Sequence, residues 1–224
     1  MSLRLAFAHL ACGDRRAALA CFRKAATGEC PSWIAAVNVG LLELQGGALD
    51  AGMDAFALAA RLAPQEAAPA VALGVCYLLG GQLRDGQACF EKALAGHRSC
   101  LEATSNLGIV HAAQGHLHDA RQCFEQAAAR ASAEAWAACN LGAFYALENK
   151  AFDAEDCFRA AILRDESLAA SYRNLAVLYR ARGMESEAIA CLNRAMQLEP
   201  GLEWGIGPWT FALAIIRRGF VGIS

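Results

Sequence analysis

Four groups of side chains in this 224-residue sequence could do chemistry: ten cysteines, five histidines, a recurring asparagine and a few clustered arginines. Five of the cysteines share one register. The step from Cys89 to Cys123 is repeated to Cys157 and to Cys191, and two such steps lead back to Cys21. Equivalent helices of stacked repeats lie roughly 8–10 Å apart or more, whereas a disulfide needs Cα atoms within about 7 Å. This set should therefore not pair with itself. No Cys-x-x-Cys occurs, and Cys12, Cys30, Cys76, Cys100 and Cys139 stand at unrelated places. The expectation is small, buried, apolar thiols of a reducing compartment.

His116 and His118 flank Leu117, with Asp119 adjacent and His111 a turn and a half earlier. A metal site would require these groups to converge. His111 falls at a core-facing place, so the expectation is a solvated turn, one packed histidine and no metal. No glycine-rich phosphate loop stands in a strand–helix context. No serine has a histidine and an acid in a recognisable arrangement. The chain is expected to be non-catalytic and to need no cofactor.

The asparagines are Asn38, Asn106, Asn140 and Asn174, with Arg4 and Ala72 completing the series. Asparagine is a mediocre helix former, and its carboxamide both donates and accepts. A row at repeat spacing can hold the backbone of an extended peptide, or it can bond to the neighbouring repeat. Beside it run two further series, Leu3, Val37, Val71, Ser105, Cys139 and Arg173, and Phe7, Leu41, Val75, Ile109, Ala143 and Val177. With Arg180 in a third series, they predict a groove that is apolar at one end and basic at the other.

These residues need a scaffold, and the sequence describes one. Phe22, Phe56, Phe90, Phe124 and Phe158 recur at one constant step, and Leu192 takes the next place. Ala25, Ala59, Ala93, Ala127, Ala161 and Ala195 follow three residues behind. Small residues keep the same step at Ala6, Gly40, Gly74, Gly108, Gly142 and Ala176, and at Ala18, Gly52, Gly86, Ala120, Ala154 and Ala188. A breaker follows at Gly13, Gly47, Gly81, Gly115, Asn149 and Gly183. Each unit reads as two helices joined at a left-handed cap, with the small residue, Phe and Ala sharing one face of the second helix.

The composition agrees with this and excludes alternatives. It is 56% hydrophobic and 19% charged, with mean hydropathy +0.27, which is not the signature of a disordered chain. A net charge of −2 gives no electrostatic footprint for nucleic acid. The longest charge-free run, Ala67 to Leu83, is short of the roughly 20 apolar residues a spanning helix needs, so no membrane insertion is expected. Met1 to Leu10 lacks the features of a secretory signal.

The period, about 34 residues, and its series resemble the tetratricopeptide repeat, as at Leu141-Gly142, Tyr145, Ala154, Phe158 and Ala161. The sequence departs from that pattern where an aromatic near the unit start is missing (Ala36, Ala70, Thr104) and where His9, Glu43 and His111 replace a mid-helix Tyr. The resemblance implies an all-α, right-handed superhelical solenoid of six repeats: 1–32, 33–66, 67–100, 101–134, 135–168 and 169–202. Residues 203–224 are expected to form a capping helix and an apolar tail, and the chain to be a piece or isoform of something longer. The asparagine series resembles the ladder of O-linked N-acetylglucosamine transferases and the asparagines of peroxisomal targeting-signal receptors.

The resulting expectation is a cytoplasmic protein–protein interaction scaffold. Asn38, Asn106, Asn140, Asn174, Arg173, Arg180, Val75 and Ile109 would line its peptide groove, and the partner would be another protein. The alternatives are a subunit buried in a larger transport or ciliary assembly, and a regulatory fragment of an enzyme.

Overall fold

A computed structural model of the chain describes residues 2–130 and 134–199, and these form twelve α-helices and no strand. The expected capping helix and tail at 203–224 lie outside the described residues. Two compact units divide at Ala103–Thr104.

The first unit carries α1 (Ser2–Ala11), α2 (Arg15–Thr27), α3 (Trp33–Gln45), α4 (Leu49–Leu62), α5 (Ala67–Leu79) and α6 (Leu83–Gly96). Each helix packs on the next, and α3 also touches α5. The second carries most of α7 (Leu101–Ala113), then α8 (Leu117–Arg130), α9 (Ala135–Leu147), α10 (Ala151–Arg164), α11 (Ala169–Ala181) and α12 (Glu185–Leu198). There α9 lies between α8 and α10, and α11 touches α9, α10 and α12. No described helix is long and apolar enough to cross a membrane.

The odd-numbered helices form the buried layer. In α9, residues from Ala135 to Asn140 are buried without a break, followed by Gly142, Ala143, Phe144 and Ala146. In α10 only Ala154, Phe158 and Ala161 are buried, the single stripe that the small–Phe–Ala spacing predicts. A helix apolar all round must be covered on several sides, whereas an amphipathic one can face water.

Every joint between paired helices is built alike. Gly13, Gly47, Gly81, Gly115 and Gly183 take φ between 74° and 80°, and Asn149 takes 59°. Asparagine is the residue besides glycine that visits this region most readily. Beyond each, one amide donates back five residues: Asp14 to His9, Ala48 to Glu43, Gln82 to Tyr77, His116 to His111, Lys150 to Tyr145 and Met184 to Tyr179, at 2.8–2.9 Å. This is the Schellman cap, repeated six times.

Within a pair, glycine lets the helices approach. A β-carbon on Gly40, Gly74, Gly108 or Gly142 would lie 2.6, 2.6, 3.0 or 2.8 Å from the ring of Phe56, Phe90, Phe124 or Phe158 respectively. All four rings are fully buried, and each such side chain contributes about 1.5–3 kcal/mol. The cysteine series lies beside the same notch. The β-carbons of Cys123 and Cys157 sit 3.0 and 2.9 Å from the places a side chain would begin on Gly108 and Gly142.

Between pairs, polar groups add register. Arg121 on α8 pairs with Glu148 at the end of α9, and Lys150 Nζ lies 3.1 Å from the same carboxylate. One repeat later the signs are exchanged, with Glu155 on α10 pairing with Arg182 after α11. Burial would raise both glutamates. The hydrogen bonds and charges of Lys150 and Arg121 at Glu148, and of Arg182, Tyr179 and Arg159 at Glu155, outweigh it and hold them below the usual carboxylate range.

Candidate functional site

The asparagine series does not form an open row. Asn38, Asn106, Asn140 and Asn174 are all fully buried. Asn140 Nδ2 donates to Ser105 Oγ at 2.9 Å, and Asn174 Nδ2 approaches Cys139 Sγ at 3.7 Å. Both partners lie 35 residues back, on the preceding odd-numbered helix. Asn38 Nδ2 instead donates to the Ile34 carbonyl of its own helix at 2.8 Å. The physical reason is the packing of the buried layer: a side chain on the flank of one first helix meets the flank of the previous one. A carboxamide there satisfies its polar atoms across the joint.

The other predicted groove residues divide. Val75 is fully buried and Arg173 is 8% exposed, so neither offers an open surface. Ile109 is half-buried and Arg180 exposed. Asn38 and Val75 belong to the first unit and the rest to the second. Of the eight side chains expected to line a groove, six are buried.

Among the described residues, two recesses lie between neighbouring second helices. In the first unit a recess of about 280 Å³ is bounded by α2, α3 and α4, with Ala36 and Val39 beneath, Ala55 and Leu58 on one wall, and Asp54 at the rim. In the second unit a recess of about 290 Å³ has Ala138 and Leu141 beneath, Cys157 and Ala160 on the wall, and Asp156 at the rim. These are the same places in the repeat, three periods apart. Ala36 and Ala138 occupy the place where Tyr172 stands in the last repeat, and there the Arg194 guanidinium lies 6.0 Å from the Tyr172 ring. Ala36 and Ala138, themselves buried, form the floors of the two recesses. The sequence shows the missing aromatic, but not that neighbouring second helices leave the space unfilled.

All ten cysteines are free thiols. Cys76 and Cys139 are buried, while Cys21, Cys89, Cys123, Cys157 and Cys191 are half-buried. Burial pushes Cys123 and Cys157 up to about 11, with nearby acids adding to it: Asp119 for the first, Asp153 and Asp156 for the second. They are not activated nucleophiles.

The histidine cluster departs from expectation. Ligand atoms of His111, His116 and Asp119 lie within 4.8 Å of one another. These side chains do converge, because the cap bond from the His116 amide to the His111 carbonyl, 2.9 Å, draws the two residues together. His118 is engaged elsewhere, its Nε2 being 2.9 Å from Gln122 Nε2.

The chain is similar in structure to the Cut9–Hcn1 hetero-tetramer of the APC/C, with TM-score 0.78 and 19% identity, covering 90% of this chain and 40% of that one. It thus spans well under half of that protein. It also resembles Pseudomonas aeruginosa pilF, with TM-score 0.66, 15% identity and coverage of 90% and 91%. YrrB, described as a TPR protein with an unusual peptide-binding site, gives TM-score 0.51, 21% identity and coverage of 80% and 93%. No curated protein sequence matches significantly. One tetratricopeptide repeat profile matches residues 3–67 and 72–135, and a second matches 169–201. With more than half its length matched, and with four helix pairs keyed by glycine and phenylalanine, the chain belongs to the tetratricopeptide repeat family.

Proposed function

We propose that the protein is a non-catalytic interaction module that holds a segment of another protein by large apolar or aromatic side chains seated in the hollows over Ala36 and Ala138. The observation that carries this is the recurrence of the same hollow in both units; Tyr172, an aromatic ring at the same place in the last repeat, supports it. A buried aromatic anchor in a preformed pocket is the usual centre of a protein interface. The family supports the reading, and YrrB is a member described as having a peptide-binding site. Buried asparagines would then serve the module as stacking clamps. Ile109 and Arg180, the more accessible groove residues, would provide a supplementary surface in the second unit.

The test is selection of a displayed random-peptide library on the chain, followed by binding to the variants Ala36→Phe and Ala138→Phe. Peptides rich in aromatic residues that bind the parent and fail on a filled hollow support the proposal. Binding indifferent to both variants, or no selected binder, overturns it.

A second reading is a permanent subunit of an assembly. Leu163 at 86% exposure and Phe152 at 74% favour it, since side chains of that size on a second helix gain from being covered. A purified chain that associates until Leu163 and Phe152 are replaced by polar residues would point to this reading.

A further inference from the structure

We propose that His111, His116 and Asp119 form a binding site for a divalent transition-metal ion, Zn²⁺ by preference, with one coordination position left open. Two imidazoles and one carboxylate are the ligand types that zinc takes from proteins. Their donor atoms already lie within 4.8 Å of one another. Ligands about 2 Å from a tetrahedral ion stand roughly 3.3 Å apart. The remaining distance closes by side-chain rotation of His116 and Asp119, both exposed.

The backbone fixes the arrangement before any ion arrives. His111 sits in the last turn of α7, and His116 immediately precedes α8. The Schellman bond between them brings their rings to 6.1 Å, centroid to centroid, at 45°. Asp119 follows in the first turn of α8. A metal site made of three side chains on one rigid cap loses little entropy on loading.

The same cap elsewhere in the chain shows what is unusual. In the first repeat the two places hold His9 and Asp14, with the ring Nδ1 4.0 Å from the carboxylate. In the fifth they hold Tyr145 and Lys150, with the ammonium 5.4 Å from the ring. Neither places two imidazoles together. The fourth repeat juxtaposes two imidazoles, and Nδ1 of His111 is buried without a hydrogen-bond partner. A buried ring nitrogen left without a partner is destabilising. An ion held by one nitrogen of each ring, with the carboxylate supplying negative charge, turns this juxtaposition from a cost into a function.

The experiment is titration of the reduced full chain with Co²⁺ as a spectroscopic stand-in, then competition by Zn²⁺. It is repeated on His116→Asn, Asp119→Asn and His111→Tyr. The last places at 111 the residue that Tyr77, Tyr145 and Tyr179 supply at the same place, so the fold is retained. The expected result is one saturable ion per chain, a spectrum of nitrogen and oxygen ligands, and affinity reduced by more than roughly a hundredfold in each variant, beyond the ~10–100-fold by which loss of an indirect partner weakens a site. No binding, a cobalt–thiolate band, or affinity unchanged in the variants would overturn the assignment. The result is independent of whether the hollows bind peptide.

Discussion

The ring of Phe56 occupies the space where a side chain on Gly40 would begin, 2.6 Å from the position of its first carbon. The glycine is therefore a notch and the ring its key. Replacing Gly40 or Gly74 by Ala forces the ring or helix aside, and overpacking of this kind costs about 1–3 kcal/mol. In the first repeat Ala6 stands at the notch and is fully buried, with Phe22 also buried. The variants should therefore fold, with a lowered urea midpoint in chemical denaturation.

The bond from Asn140 to Ser105 predicts that Asn140→Ala weakens the packing of α9 on α7. Loss of one buried hydrogen bond and the orphaning of its partner together cost about 1–3 kcal/mol. The double variant Asn140→Ala, Ser105→Ala should recover part of the loss. Equilibrium unfolding measures both. Equal stability of Asn140→Ala and the parent would mean that the clamp contributes nothing.

The exchanged charges at successive joints predict a double-mutant cycle. Arg121→Glu and Glu148→Arg should each destabilise the chain, and the double exchange should restore part of the loss, because Glu155 and Arg182 already show the reversed pair to be acceptable, while Lys150, 3.1 Å from the Glu148 carboxylate, would then face a like charge. Partial exposure of the arginines limits the coupling to about 0.5–1 kcal/mol. Glu148 and Glu155 are held below their ordinary value of 4.5 when folded. Their contribution is present above that value and is lost as pH falls through the lower folded value. In Glu155→Gln the acid limb of the stability curve should be shallower.

Cys76, Cys123 and Cys157 are raised by burial from 9.0 to about 11. Folding contributions linked to their protonated form are complete below pH 9 and disappear as pH rises towards 11. Thiol labelling at mildly alkaline pH should be slow at these three in the native chain and fast once urea unfolds it. Rapid native labelling of Cys123 and Cys157 would contradict their burial.

The cap itself can be tested at Gly115, whose φ is +79°, against Asn149 at +59°. Gly115→Ala should cost about 1 kcal/mol, and Asn149→Gly should be near neutral. Thermal melting separates the two.

The helices and their pairing are legible because the period is free of insertions, so Phe, Gly and Ala each report the same contact again and again. Exposure is not. Spacing puts Asn106 and Asn140 on one flank of their helices, but whether that flank meets water or the previous repeat depends on partners such as Ser105 and Cys139, each 35 residues before the asparagine that reaches it. The hollow over Ala138 escapes for a similar reason, since its walls come from two second helices whose separation no single repeat encodes. The convergence of the histidines is hidden because residue 111 falls at a core-facing place. The capping bond that turns His116 back towards it follows from Gly115, which the breaker series marks as a helix end.

The glycine notch and its phenylalanine keep one fixed separation inside a single repeat, as with Gly74 and Phe90 or Gly142 and Phe158. Each repeat is thus keyed to itself and not to its neighbour. Excising or duplicating a whole period inside a unit would leave every lock with its own key and join two like surfaces. An error of even one residue would separate ring from notch in the repeat it struck. Length in this chain is therefore a quantity that can change in whole repeats and resists change by fractions of one.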